Sequence, residues 1–247
     1  MFQKENKIEF LANKDFIENN QEYLPVPTKV NMPEWYKKLE HKVGKMTVKG
    51  CMPFLDTLTT GYILKMPVDY FITHNIEKDK DGVLKTGMQS GCRRPIAGIN
   101  LNSGEQDFHS IQQLGDSPLV QKNQKLAFHK ILNPWTIKTS PGYSCLFLPP
   151  LNNTDDRFSI IPGIVDTDSF PNEINFPFVV NGDKYKTLET TIKIGTPYVQ
   201  IIPFKRECWK MKIKNLDSVK KQKIDFFSFK HILHNYKQLF WSKKSWK

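Results

Sequence analysis

The chain has 247 residues, 39% of them apolar and 25% charged, and its 36 Lys and Arg against 25 Asp and Glu leave a formal charge of +11. This balance excludes a collagen-like, low-complexity or disordered polyelectrolyte chain, because enough apolar side chain is present to offset the conformational entropy of folding. No stretch reaches the ~20 apolar residues that span a bilayer, and the opening Met1-Phe2-Gln3-Lys4-Glu5-Asn6-Lys7 lacks the apolar run of a secretory signal, so a soluble cytosolic protein with no membrane span is expected.

After the charged opening, Pro25-Val26-Pro27-Thr28 stiffens the chain into an extended strap. Residues 33–39 predict a short helix, with Pro33 in its first turn and Asn31 as the cap. Residues 52–60 predict another helical turn, stopped by Gly61. Residues 62–66 and 70–72 read as strands split by Pro67. From Asn75 to Asp116 the chain is polar, and Asp81-Gly82 is a hairpin turn signal. Short apolar runs punctuated by prolines then follow at 128–132, 136–138, 143–148, 159–161, 163–165, 174–180, 190–194 and 198–202. Strands at such close spacing, with no helical pattern between them, predict a mainly β protein built as an antiparallel sandwich or barrel.

The charge is unevenly spread. Residues 205–247 hold thirteen Lys/Arg and three Asp/Glu, a net of +10; the preceding 204 residues hold twenty-three and twenty-two, a net of +1. Within this basic end Phe226, Phe229, Leu233, Tyr236 and Phe240 are spaced 3, 4, 3 and 4 apart, the pattern of one helix face. Two readings are open: an amphipathic docking helix, or a C-terminal helix lying on its own core. The last eight residues, with Trp241, Lys243, Lys244 and Trp246, are the expected contact for an acidic protein or nucleic-acid partner. The organisation expected is a strap and short helix over 1–46, a β core over 47–210 and a basic aromatic tail over 211–247.

Cys51, Cys92, Cys145 and Cys208 are separated by 41, 53 and 63 residues, with no CxxC pair. They read as free thiols rather than zinc ligands or a disulfide framework. Of six histidines only His231 and His234 are close in sequence, and no carboxylate pattern completes a metal set, so they read as surface residues. No metal and no cofactor is expected.

One stretch carries a resemblance. Asn133-Pro134-Trp135, Pro141-Gly142-Tyr143, Gly163-Ile164-Val165-Asp166-Thr167-Asp168 and Gly195 with its downstream strand resemble a phage and bacterial family classed as a domain of unknown function. The core of that family is similar to the dUTPase/dCTP-deaminase β-clip superfamily, and the likeness covers Cys51 to about Trp209. It implies a β-clip fold and trimeric self-association, in a host cytoplasm or a virion. It also places Asp166 where the β-clip pyrophosphatases carry the general base, and Gln200 where an amide reaches a phosphate. Asp166 and Asp168 are therefore candidate catalytic residues, and Tyr143, Glu173 and Gln200 candidate ligand contacts; a turn role for the Asp pair stays open, since Asp at strand ends commonly binds its own backbone.

The pattern departs from the enzymes elsewhere. Ser169, with Phe170 beside it, stands where an aromatic closes over the sugar; Leu148-Pro149-Pro150-Leu151 replaces the phosphate cradle; and the Gly-rich lid is missing. Phosphoryl transfer depends mainly on donors gathered around the phosphates, so an apolar Pro-Pro removes the larger share of catalysis. The expectation is a non-enzymatic assembly or interaction protein, with a nucleotide- or small-anion-binding enzyme using Asp166 and Gln200 as the alternative.

Overall fold

The computed structural model of the chain describes residues 6–42, 44–78, 80–81, 84–92, 108–152, 155–216, 220–222 and 235–247. It is mainly β, with 34% strand and 21% helix, arranged as several antiparallel sheets with short helices. Two compact units form, one from Met1–Val26 with Gly61–Lys205 and one from Pro27–Thr60 with Arg206–Lys247. Among the described residues no helix is long and apolar enough to cross a membrane.

The first unit opens with β1 (Ile8–Leu11) and α1 (Lys14–Asn19), and its N-terminal segment ends at the two-residue β2 (Val26–Pro27). It resumes with β3 (Tyr62–Lys65), β4 (Tyr70–Lys78) and β5 (Leu84–Cys92). Beyond these lie β6 (His129–Ile131), β7 (Thr136–Thr139), β8 (Tyr143–Leu148), β9 (Phe158–Ile160), β10 (Gly163–Val165), β11 (Phe176–Val180), β12 (Thr187–Ile192) and β13 (Pro197–Lys205). β8 lies between β10 and β13, and β13 lies between β8 and β3; the other sheets are β6-β11-β9, β12-β4-β5 and β1-β7. The pairings of β1 with β7, of β8 with β10 and β13, of β13 with β3, of β11 with β6 and β9, and of β4 with β5 and β12 are antiparallel.

Period-two alternation explains β8: Cys145 and Phe147 point into the core while Leu146 and Leu148 stay half-buried. β13 is buried on both faces from Tyr198 to Ile201, and its register against β3 shifts between Pro197 and Val199. The core gathers Trp135, Phe147, Phe176, Tyr198 and the aliphatic side chains between the sheets, each worth about 1.5–3 kcal/mol on burial. The charged opening contributes more than a strap. Asn13 caps α1 by accepting from the Asp15 N–H at 2.8 Å, which lets Phe16 pack edge-on to Trp135 at 5.5 Å.

In the second unit α2 (Glu34–Lys38) is preceded by Pro33, and Asn31 ends a separate 3₁₀ turn, Thr28–Asn31, instead of capping. The fixed proline dihedral starts the helix without a side-chain acceptor. α3 (Met52–Thr57) stops four residues before Gly61, and Phe54 stacks on Tyr36 at 5.9 Å. α5 (Asn235–Leu239) and Phe240 belong to the C-terminal stripe; Phe226, Phe229, Leu233, His231 and His234 lie outside the described residues.

The polar stretch after Asn75 begins within the β4–β5 hairpin, nine residues on each strand; Gly82 of the turn signal and residues 93–107 lie outside the described residues. The close histidine pair of the first unit is His74 and His129, 55 residues apart in sequence, with His74 Nδ1 3.0 Å from His129 Nε2. Beside them Asn123, at the end of α4 (Pro118–Lys122), is fully buried. Its Nδ2 donates to Leu126 O and Ala127 O, both at 3.0 Å, and its Oδ1 accepts from Val180 N at 2.8 Å. Its own carbonyl oxygen lies 3.3 Å from His74 Nε2. A carbonyl only accepts, so His74 carries its proton on Nε2, and the His129 Nε2–H donates to the bare His74 Nδ1. Both rings are then neutral. Burial pushes His74 down to about 4 and His129 down to about 3, with the His74 ring adding to the second shift.

Two predictions follow from this hub. Asn123→Ala removes three hydrogen bonds and strands the buried Val180 N–H, so urea unfolding is expected to show a loss of about 3 kcal/mol. Because both histidines have folded pKa values below that of the unfolded chain, their stabilisation is complete above pH 6.5 and is lost as the pH falls toward 4. Unfolding free energies at pH 7 and pH 5, measured by urea titration, are expected to differ by about 4 kcal/mol, about 2 for each ring.

Candidate functional site

Asp166 and Asp168 follow β10 and form a hydrogen-bonded turn. Ser144 Oγ donates to Asp166 Oδ1 at 2.6 Å, and the Gly142 N–H donates to Asp168 Oδ2 at 2.8 Å. The Asp166 carbonyl accepts from the N–H groups of Ser169 and Phe170 at 3.1 and 2.9 Å. Gly142 sits at φ +83°, a left-handed conformation that glycine adopts without strain. Thr167, between the two carboxylates, is buried with its Oγ1 2.8 Å from Thr139 Oγ1, and it donates to Cys145 Sγ at 3.3 Å. Burial pushes the Cys145 thiol up to about 11, against the opposing pull of the Thr167 hydroxyl, so this sulfur stays protonated. Tyr143 accepts from Asn6 Nδ2 at 2.6 Å through its hydroxyl, and Glu173 is exposed in an isolated bridge to Thr136.

Gln200 lies elsewhere. It is buried in the middle of β13, and its Oε1 accepts from the Leu151 N–H at 2.9 Å. On β8 its partner is Leu148, whereas Ser144, which holds Asp166, pairs with Phe204. Four residues of strand separate the two positions, roughly 13 Å. The structure thus groups Tyr143, Asp166 and Asp168 at one end of β8 and sets Gln200 at the other. What Gln200 holds is the Pro149-Pro150-Leu151 loop, which walls a cleft of about 380 Å3 together with Phe158, Ile160 and Tyr198. Two carboxylates line this cleft and both are engaged. Asp155 accepts from Arg157 Nε and Nη2 at 3.0 and 2.8 Å, with Arg157 Nη1 donating onward to Thr190 Oγ1 at 2.6 Å. Asp156 is bound by Lys184 and by the Tyr185 hydroxyl at 2.8 Å, and the Lys184 hydrogen bond holds its carboxyl below the ordinary range. The Asn123–His74–His129 hub and the contacts of Asp156 with Lys184 and Tyr185 had no signal in sequence spacing, because each joins residues far apart in the chain, whereas Asp155 pairs with Arg157 two residues on.

The basic end makes the other candidate site, within the second unit. Asp56 on α3 accepts from Trp241 Nε1 at 3.2 and 3.1 Å on its two oxygens and from Lys244 Nζ at 2.6 Å. Lys244 Nζ lies 5.7 Å from the Trp241 ring centre. Around this contact is a cavity of about 280 Å3 lined by Lys29, Thr59, Trp241, Lys243, Lys244 and Trp246. All four residues expected at the tail contact therefore converge. Lys29 was not among the expected contacts; it adds a third lysine from a sequence-distant turn. Lys29 and Lys243 are exposed, and among the described residues no ion pair engages either one.

Gln200→Leu keeps the side-chain bulk but leaves the Leu151 N–H without its acceptor. A loss of about 1–2 kcal/mol and faster amide exchange at Leu151 and Asn152 are expected, measured by urea unfolding and hydrogen exchange. No protein-family model and no curated protein matches the chain.

Proposed function

We propose that the chain is a non-enzymatic assembly or interaction protein of phage type: a self-associating β-clip-like core, trimeric by its resemblance, with a basic C-terminal end that takes an acidic partner in the host cytoplasm or the virion. The observation that carries this reading is the cavity of the second unit, where Lys29, Lys243 and Lys244 stand around Trp241 and Trp246. Asp56 offsets one of the three charges by binding Lys244. An indole face stacks on a base or packs on a side chain, while lysines at the rim attract phosphate or carboxylate. Single-stranded nucleic acid fits both features, and an acidic protein fits the cationic one.

Support for a non-enzymatic core comes from Asp166 and Asp168, which each have a carboxylate oxygen engaged by Ser144 or by the Gly142 N–H, and from their distance to Gln200. The wall beside Gln200 is Pro149-Pro150, which offers no N–H donor to a phosphate. The alternative, an enzyme acting on a nucleotide, requires cleavage of a deoxynucleoside triphosphate by the purified chain; measured turnover would overturn the non-enzymatic reading.

The tail is tested by tryptophan fluorescence with a thymidine oligonucleotide and, separately, a polyglutamate peptide. The expected result is quenching by the oligonucleotide, with affinity falling on the order of tenfold between 50 and 200 mM salt for two or three phosphate contacts. The double variant Lys29→Glu, Lys243→Glu is expected to weaken binding at least about tenfold, and Lys14→Glu, exposed in the first unit, to leave it little changed. Saturation by polyglutamate alone would assign the partner as an acidic protein; no response to either ligand would overturn the reading.

A further inference from the structure

We infer that the cleft beneath the Pro149-Pro150 loop is a binding site for a small monocarboxylate with an apolar body, its acid group held by Lys122 and Asn181. The inference concerns the first unit and stands independently of the reading of the tail.

The register of β9 sets which end of the cleft is polar. Phe158 pairs with Val180 and Ile160 with Phe178, so this wall runs over two residues of strand, roughly 7 Å. Asn181 follows Val180, and its N–H donates to Arg157 O at 3.0 Å, which places it at the Phe158 end. Lys122, the last residue of α4, comes to the same end, its carbonyl accepting from the Gly182 N–H at 2.9 Å. Glycine permits this approach, because a Cβ at Gly182 would come within 2.6 Å of the Lys122 oxygen. Pro162 continues the wall beyond Ile160, and Pro149, Pro150 and Pro197 complete a lining that offers no N–H from any of the four prolines.

Charge selects the ligand. Three charged residues line the cleft: Lys122, Asp155 and Asp156. Asp155 is closed by its bidentate pair with Arg157, and Asp156 by Lys184 and the Tyr185 hydroxyl. A cation entering the cleft therefore meets carboxylates that are already neutralised. Lys122 is half-buried, and among the described residues no ion pair or hydrogen bond engages its ammonium; the same holds for the side-chain amide of Asn181. One uncompensated ammonium beside one amide donor suits a single carboxylate, whose two oxygens accept from both. A phosphate carries more charge and calls for more donors than this end supplies.

Volume sets the size of the body. At about 380 Å3 the cleft has roughly two and a half times the volume of a cavity that takes one benzene, so two fused rings fit. The walls are held before a ligand arrives: Gln200 fixes Leu151, and Asn123 fixes Val180. Little ordering is then left to oppose binding.

The test titrates the isotope-labelled full chain with naphthoate, with its neutral isostere naphthamide, and with the cation naphthylmethylamine, read by amide proton–nitrogen correlation spectra. Naphthoate is expected to shift the signals of Ser159, Asn181 and Gly182 with a Kd below about 1 mM. Naphthamide is expected to shift the same signals with at least about tenfold weaker affinity, and the amine to bind more weakly still. Lys122→Met is expected to lower the affinity for naphthoate to that for naphthamide while leaving naphthamide unchanged, which separates loss of charge from loss of the cleft's shape. Three wild-type results would overturn the carboxylate assignment without any variant: equal affinity for naphthoate and naphthamide, preference for the amine, or shifts confined to residues outside the cleft. No shift with any of the three probes would overturn the cleft as a site. A Lys122→Met chain that binds naphthoate as the wild type does would overturn Lys122 as the holder of the acid. None of these results bears on oligonucleotide binding by the second unit, so the two readings fail separately.

Discussion

A single buried asparagine sets how the sheets of the first unit meet. Asn123 turns the chain after α4, holds the Val180 N–H of β11, and presents its carbonyl oxygen to His74 of β4. β11 belongs to the β6-β11-β9 sheet and β4 to the β12-β4-β5 sheet, so one side chain and its backbone oxygen register two sheets against each other. His129 of β6 closes the arrangement and stacks on Phe178 at 5.1 Å. Apolar burial is larger in total but has no direction. The hydrogen bonds carry the position, since a shift of one residue would leave three buried groups unpaired at about 1–3 kcal/mol each. The cleft beneath the Pro149-Pro150 loop inherits this rigidity, because Val179 and Phe158 of the same sheet form part of its wall.

The treatment of charge differs between the two units. In the first unit, where lysines and acids nearly balance, the carboxylates around the cleft and the β10 turn are spent on local structure: Asp155 on Arg157, Asp156 on Lys184 and Tyr185, Asp166 on Ser144, Asp168 on Gly142. Arg157 reaches from that loop to Thr190 on β12, so its bidentate pair with Asp155 works as a tie between elements. In the basic end, Asp56 is met by both Trp241 and Lys244, which fixes the indole while Lys29 and Lys243 remain at the rim. A group committed to a turn is a poor catalyst and a good scaffold; an exposed lysine beside a fixed indole is suited to binding.

Legibility in the sequence followed the physical range of each interaction. β8 and β10 were readable to the residue, since strand alternation and flanking proline or glycine are local signals, and Gly142 and Gly195 take the positive φ expected of turn glycines. β1 and α1 were not, because the charged opening becomes ordered only by pairing with β7 and by the contact of Phe16 with Trp135, more than a hundred residues away. The helix over Glu34–Lys38 was readable from Pro33, but its cap was not: Asn31 is used by the preceding turn. At the sites, Trp241, Lys243, Lys244 and Trp246 are neighbours in sequence and line one cavity, whereas the partner of the Asp166 carboxylate, Ser144 on β8, is 22 residues away and has no local signal. The role of Gln200 could not be read either, since a buried amide facing Leu151 and one facing a phosphate have the same sequence, and only the loop packed against β13 decides between them.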